Sequence, residues 1–85
     1  MTDNIELLKK KIIYKSSYRG IKELDIILRS FVKKHINNLN ITDLHDLFDF
    51  LSNNDDDIYK FKQGLSINKN IKDNKISNLF KDFTL

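Results

Sequence analysis

The sequence predicts an all-α protein, a small five-helix bundle that folds as a single domain over residues 1–85. Apolar residues recur with the 3.6-residue helical period in five segments, whereas the strict alternation typical of strands is hard to find. The chain contains no proline and only two glycines, so few residues interrupt a helix. Its 85 residues suffice for one small hydrophobic core and are too few for two.

The first two helices are predicted on either side of a serine turn. The first runs from about Asn4 to Tyr14, and its apolar stripe consists of Ile5, Leu8 and Ile12, widened by Leu7 and Ile13. After the turn at residues 16–17, the second and longest helix runs from about Arg19 to Ile36. Its apolar residues follow the i, i+3, i+4, i+7 pattern of one helix face: Leu24, Ile27, Leu28 and Phe31. We expect this helix to lie at the centre of the bundle.

Three shorter helices complete the predicted fold. Thr42 is predicted to cap the third, from about Asp43 to Ser52, with a buried face of Leu44, Leu47, Phe48 and Leu51. The fourth runs from about Asp56 to Gln63 and ends before Gly64. Leu65–Asn70 is predicted as a loop, with Asn70 capping a last helix from about Ile71 to Phe83. The last helix is rich in lysine and asparagine and ends at the terminus, so we expect it to fray.

The composition restricts the classes of function. The formal net charge is +3, and most of the basic residues are lysine, whereas a nucleic-acid-binding domain of this size usually has a stronger, clustered basic excess. The chain has no cysteine, which excludes disulfides and thiolate metal sites and fits a reducing compartment. No apolar run reaches about 18 residues, so we expect no insertion into a membrane.

The sequence offers no arrangement suited to catalysis. His35 and His45 lie on different predicted helices, without the spacing of a metal-binding pair. Glu23 and Asp25 are two residues apart, so on a helix they point about 200° apart and cannot act on one substrate. There is no glycine-rich phosphate loop and no cysteine nucleophile. We therefore expect a binding protein without catalytic residues, metal ligands or a stably bound cofactor.

The start of the second predicted helix is the candidate binding site. One interpretation is structural: Gly20 lies near the N-cap, and Arg19 bridges Glu23 at i+4. The helix dipole supports this interpretation only in part. A cation such as Arg19 is unfavourable at a helix N-terminus, whereas the negative charge of Glu23 is favourable there. The other interpretation is therefore functional, with a guanidinium beside a bare glycine backbone presented to a partner. Asp25 and Arg29 are expected to form an i, i+4 ion pair.

The stretch Arg19-Gly20-Ile21-Lys22-Glu23-Leu24-Asp25 resembles the RGxxELD signature of the SdhE family, the succinate dehydrogenase assembly factors also called flavinators. The resemblance continues through Leu39–Asp43 and through the acidic turn and aromatic helix of Asn54–Phe61. It covers nearly the whole chain and weakens after Gly64. The family often has proline where Asp56 stands and tryptophan where Phe61 stands, and both differences are structurally mild.

The resemblance implies a five-helix bundle that is an assembly chaperone and not an enzyme. Its client would be the flavoprotein subunit of succinate dehydrogenase, sometimes of fumarate reductase, and it would promote covalent attachment of the client's FAD to a client histidine. The residues implied to bind the client are Arg19, Gly20 and Glu23, flanked by Asp25 and Tyr18. We expect a monomer when the protein is free, located in the bacterial cytoplasm.

Two other classes of function remain open at this point. A small helical nucleic-acid-binding or antitoxin-like protein would bind duplexes with an affinity that falls steeply with salt. A scaffold module would instead contact its partner through the aspartates spaced three residues apart on the third helix, Asp43, Asp46 and Asp49, which are otherwise expected to form a solvated acidic face.

Overall fold

A computed structural model describes residues 2–64 and 71–85 of the chain. Over these residues the fold consists of five α-helices and one short 3₁₀ turn, which confirms the predicted all-α class. The helices are α1 Thr2–Lys15, α2 Lys22–His35, α3 Ile41–Leu51, α4 Asp55–Gln63 and α5 Lys75–Asp82. The 3₁₀ turn, Ile36–Asn38, follows α2 directly.

Asparagine side chains set the beginnings of three helices. Asn40, Asn54 and Asn74 each accept a hydrogen bond from the backbone N–H three residues later, at the starts of α3, α4 and α5 respectively. The predicted cap at Thr42 is therefore wrong, because Asn40 satisfies the free N–H groups first and α3 begins at Ile41. At the other end of α4, Gly64 adopts the left-handed conformation (φ 69°) that commonly ends a helix.

The start of α5 differs from the prediction by four residues. The predicted helix began at Ile71, but Asn74 and Ser77 form a capping box that starts the helix at Lys75. Ile71 is still buried, so it contributes to the core from the segment before the helix. The predicted loop Leu65–Asn70, including the proposed cap Asn70, lies outside the described residues.

The apolar face predicted for α2 is buried, but the prediction that α2 is the longest helix and lies at the centre of the bundle is wrong. α3 packs most extensively on other helices, against both α1 and α5, and α1 and α2 have 14 residues each. Leu24, Leu28 and Phe31 are fully buried. The Phe31 ring packs edge-on against the rings of Phe80 and Phe83, with ring centroids 5.2 and 5.4 Å apart. The remaining buried apolar residues come from α2 itself, from the other four helices, from the 3₁₀ turn and from the chain next to α5: Ile12, Val32, Ile36, Leu44, Leu47, Phe50, Leu51, Ile58, Ile71, Ile76, Phe80 and Phe83.

On α3, one aromatic ring and one carboxylate are placed differently from the prediction. Phe50 is buried against Phe80, whereas Phe48 is only half-buried and borders a surface groove. Asp43 is buried and pairs with the Lys75 Nζ of α5 at 3.1 Å, so the prediction of a solvated acidic face is wrong at this position. A stripe read from one helix alone cannot show which side the neighbouring helix will cover.

Candidate functional site

Arg19 and Gly20 lie in the connection between α1 and α2, not on a helix. The prediction that α2 begins at Arg19 is wrong, because regular helix starts at Lys22 with Ile21 as its N-cap. Arg19 and Glu23 are therefore not on successive turns of one helix, and the i, i+4 bridge predicted between them is replaced by a different contact. Arg19 instead pairs with Asp55, at the first position of α4.

The Arg19 side chain joins three helices. Its Nε donates to the Asp55 Oδ1 at 2.7 Å, while Nη1 donates to the carbonyls of Lys15 and Leu51 at 2.8 and 3.0 Å. Nη2 donates to the Asn53 carbonyl at 3.1 Å. With a side chain only 11% exposed, Arg19 is held by four hydrogen bonds inside the monomer. We call these contacts, together with Gly20, the Arg19 network.

The network explains the electrostatic conflict seen in the sequence. A cation is unfavourable at a helix N-terminus and favourable at a C-terminus, where unpaired carbonyls carry partial negative charge. Lys15 ends α1 and Leu51 ends α3, so the guanidinium lies against the carbonyl ends of two helices. Asp55, with its negative charge, occupies the N-terminus of α4, which is the favourable end for a carboxylate.

Gly20 lets the Asp55 carboxylate approach the backbone. The Gly20 N–H donates to the Asp55 Oδ2 at 2.6 Å, so one carboxylate binds both the guanidinium and the adjacent amide. A Cβ atom at position 20 would lie 3.1 Å from that oxygen, which is tighter than most Cβ contacts, so the carboxylate would have to shift slightly. This contact within the monomer therefore explains why position 20 has no side chain, independently of any role in binding a partner.

Tyr18 leaves the network and faces solvent. Its backbone is in the left-handed region (φ 58°), which is uncommon for a residue with a bulky side chain, and its side chain is 86% exposed. The ring lies 6.3 Å from that of Tyr14, another strongly exposed tyrosine. Two neighbouring exposed aromatic rings, one of them on a residue whose backbone conformation costs free energy, make this surface a candidate for contact with another molecule.

The two acidic residues of the motif have different surroundings. Glu23 is exposed, and its Oε2 accepts a long hydrogen bond of 3.4 Å from the Tyr59 hydroxyl. Asp25 is half-buried and pairs with Arg29, Nε to Oδ1 at 3.3 Å, as predicted. That pair lacks hydrogen-bond geometry, so the buried Oδ1 has no aligned donor among the described residues. Glu23 is thus the motif carboxylate most available to a partner.

Sequence reasoning missed the groove beside the network and the residue that organises it. An open groove of about 800 Å³ lies between α1 and α3 and is lined by Lys10, Lys11, Tyr14, Lys15, Ser17, Tyr18, Arg19, Gly20, Phe48 and Asp55. In the sequence, Asp55 is one of three consecutive aspartates of an acidic turn, and only its position opposite Arg19 in the fold distinguishes it from Asp56. No sequence spacing relates Arg19 to Asp55, because the two residues are 36 positions apart.

The described residues place neither histidine in a metal site. The His35 ring packs on Phe31 with centroids 4.9 Å apart, and His45 borders a separate groove with Ile41. Over residues 2–64 and 71–85, no group of three or more histidine, aspartate or glutamate side chains is arranged to hold a metal ion. In the same segments, no helix combines the length and the apolar character needed to cross a membrane.

Comparison with known proteins identifies similar sequences. A family model described as "Flavinator of succinate dehydrogenase" matches residues 10–84. "Succinate dehydrogenase assembly factor 2, mitochondrial" of Aedes aegypti is 31% identical over 80 residues, which cover 92% of this chain and 50% of the relative. The protein of the same description in Dictyostelium discoideum is 39% identical over 57 residues, 67% of this chain and 40% of the relative.

The fungal relatives match a shorter segment. The assembly factor 2 of Meyerozyma guilliermondii is 39% identical over 54 residues, covering 64% of this chain and 40% of the relative. The chain thus spans about half the length, or less, of the curated relatives it matches. No solved structure matches the chain.

Proposed function

Because this chain belongs to the family of succinate dehydrogenase flavinators, we propose that it is an assembly factor that binds the flavoprotein subunit of succinate dehydrogenase and promotes covalent attachment of FAD to that subunit. The family match over residues 10–84 carries the proposal, since it includes every residue of the candidate site. Relatives named as succinate dehydrogenase assembly factors support it.

The proposed mechanism needs no reactive group on this chain. The covalent bond forms between the client's own FAD and a client histidine, so the assembly factor acts by binding. If it binds best to the client conformer whose groups are aligned around the flavin, binding increases the population of that conformer. Aligned groups stabilise charge that develops during bond formation, which accelerates the step without a catalytic residue on the assembly factor.

The residues divide between contact and support in this proposal. Tyr18 and Glu23 contact the client, because both are exposed, Tyr18 in the α1–α2 connection and Glu23 in the first turn of α2. Arg19 and Gly20 hold that connection against Asp55 and contribute chiefly by keeping the contact residues in place. Asp25 flanks the surface and orients Arg29 through the ion pair on α2.

The proposal also includes the owner of the cofactor, the oligomeric state, the cellular location and a second client. FAD belongs to the client, and this chain holds none when free. The chain acts as a monomer in the aqueous compartment where the client receives its flavin, which in a bacterium is the cytoplasm. In this proposal, the flavoprotein subunit of fumarate reductase is a second client for the same surface.

Co-expression with the flavoprotein subunit tests the proposal. The readout is flavin fluorescence that stays with the client polypeptide after denaturation. Glu23→Ala is expected to reduce covalent flavin about tenfold or more, since truncating one partner of a desolvated polar pair costs about 2–5 kcal/mol of binding. Glu6→Ala is the matched control, because Glu6 is the chain's other glutamate and lies exposed on α1.

The outcomes separate the function from the site. Covalent flavin that is equal with and without the wild-type chain would refute the proposed function. If flavinylation requires the wild-type chain but is undiminished by Glu23→Ala, the function holds and the contact site lies elsewhere on the chain. Duplex binding that falls with salt, without any effect on the flavoprotein, would support the nucleic-acid-binding alternative instead.

A further inference from the structure

Two neighbouring grooves lie along the seam between α1 and α3, and we call them together the α1–α3 groove. The wide end is the 800 Å³ groove beside the Arg19 network, and the narrow end is a space of about 310 Å³ lined by Leu7, Leu8, Lys11, Ile41 and His45. Lys11 lines both spaces, so they are adjacent on the surface. From Leu7 to Lys15, α1 is about 12 Å long, at 1.5 Å per residue, which equals roughly two turns of a helix.

The rim of this groove is more apolar than a free surface requires. Leu7 is 52% exposed, Tyr14 74% and Ile41 43%, and all three line or border the same seam. Burying such side chains against a partner is favourable by about 25 cal/mol for each Å² of apolar area removed from water. Adjacent exposed apolar side chains are typical of an interaction surface, whereas scattered single ones are not.

The charges around the apolar strip have one sign. Lys10, Lys11 and Lys15 line the wide end, and the Lys15 Nζ lies 5.1 Å from the centre of the Phe48 ring. Asp55 is the acidic residue that lines the same space, and its two oxygens are already bound to Arg19 and Gly20. The free charges are therefore cationic, and they complement a ligand that combines carboxylates with apolar side chains.

We propose that the α1–α3 groove binds an acidic amphipathic segment of the flavoprotein client. This inference rests on the proposed function and extends its contact surface from Tyr18 along α1. Continuity supports the client as the occupant, because the wide end of the groove is lined by Tyr18 and Gly20 of the candidate site. A segment of about two helical turns would match the length of the groove, with apolar side chains toward Leu7 and Tyr14 and carboxylates toward the lysines.

Binding of the purified flavoprotein lacking covalent flavin, at low and at high salt, tests the inference. Lys11→Glu is expected to weaken binding about tenfold or more and to reduce the salt dependence, because it reverses a charge that faces acidic groups. Tyr14→Ala is expected to weaken binding about tenfold by removing an aromatic anchor. The side chains of both residues are exposed, and circular dichroism verifies that each variant keeps its helices.

Matched controls separate the groove from general surface effects. Ile13→Ala truncates a side chain of α1 that is 50% exposed, like Leu7, but borders a different cavity. Lys33→Glu makes the same charge reversal as Lys11→Glu on the exposed side of α2. Both controls are expected to bind the flavoprotein within about twofold of wild type, since isolated surface contacts contribute little.

Each result decides the inference. Weak binding by Lys11→Glu and Tyr14→Ala, with normal controls, supports it. Normal binding by both variants, while Glu23→Ala fails, overturns the groove and leaves the proposed function intact. A wild-type chain that does not bind the flavoprotein refutes both. If the two variants affect only self-association in sedimentation, or only binding to duplex DNA or anionic vesicles, the occupant is not the client and the inference is overturned.

Discussion

Replacing Arg19 by methionine tests whether the guanidinium holds the bundle together. Methionine keeps most of the aliphatic stem but removes the charge and all four hydrogen bonds of the Arg19 network. Asp55 loses its cationic partner, and the carbonyls of Lys15, Leu51 and Asn53 lose a donor. The helices themselves are unchanged, so the effect should appear as lower stability and not as lost helix content in the native state.

The magnitude follows from the burial of the pair. Breaking a buried ion pair costs about 3–5 kcal/mol because a charge is left without its partner. Asp55 is 24% exposed, so water can hydrate the carboxylate in part, and we expect about 3 kcal/mol. A domain of this size has a free energy of unfolding of roughly 4–13 kcal/mol. At about 4–8 °C per kcal/mol, the midpoint of thermal unfolding should fall by roughly 12–24 °C.

Urea unfolding followed by far-ultraviolet circular dichroism measures this loss. Lys22→Met is the control, because it also replaces a cation by methionine, at an exposed position at the start of α2. We expect that control to cost no more than about 0.5 kcal/mol. If Arg19→Met unfolds within 0.5 kcal/mol of the wild type, the network does not stabilise the fold, and the guanidinium is free to bind a partner directly.

Three further perturbations follow from the structure. Gly20→Ala should lower the free energy of unfolding by about 1 kcal/mol, because the new Cβ would lie 3.1 Å from the Asp55 Oδ2 and push this oxygen away from the Gly20 N–H. The loss of stability should be smaller when the same change is made in an Asp55→Asn background. Lys62→Met should cost about 1–2 kcal/mol, because Lys62 donates to the carbonyls of Phe80, Lys81 and Phe83 at the end of α5. Burial, reinforced by Lys34 and Lys75, lowers the pKa of His35 below 6.5, so the unfolded chain takes up a proton before the folded one and stability should fall as the pH drops below about 6.5. His35→Gln should flatten that pH dependence.

A neighbouring residue supplies the control for Lys62→Met. Lys60→Met removes an exposed lysine from the same helix as Lys62 and should change the stability by less than 0.5 kcal/mol. If the stability of His35→Gln has the same pH profile as that of the wild type, His35 is not the group responsible for the pH dependence. If Lys60→Met and Lys62→Met lose equal stability, the hydrogen bonds of Lys62 do not stabilise the end of α5. If Gly20→Ala lowers the stability equally in the wild-type and Asp55→Asn backgrounds, the close contact between the Cβ and the Asp55 carboxylate is not the cause.

The sequence alone determined the helical class, the core face of α2 and the family resemblance. These depend on local information: apolar residues spaced at 3.6-residue intervals define a face wherever the helix packs, and the Asp25–Arg29 pair lies within one turn of a single helix. Helix ends were predicted less well, because several asparagines and aspartates near each start can serve as the cap. Only the folded chain shows that Asn40, Asn54 and Asn74 do so.

The tertiary structure alone decided what Arg19 does. Its partners lie up to 36 positions away in the chain, and no periodicity brings Asp55 and the end of α3 to the loop between α1 and α2. The same packing turned Asp43 inward to Lys75 and left Phe48 beside an open groove. A residue's neighbours on its own helix follow from the spacing of the sequence, whereas its neighbours on other helices depend on how the faces pack, and the candidate site is built from the second kind.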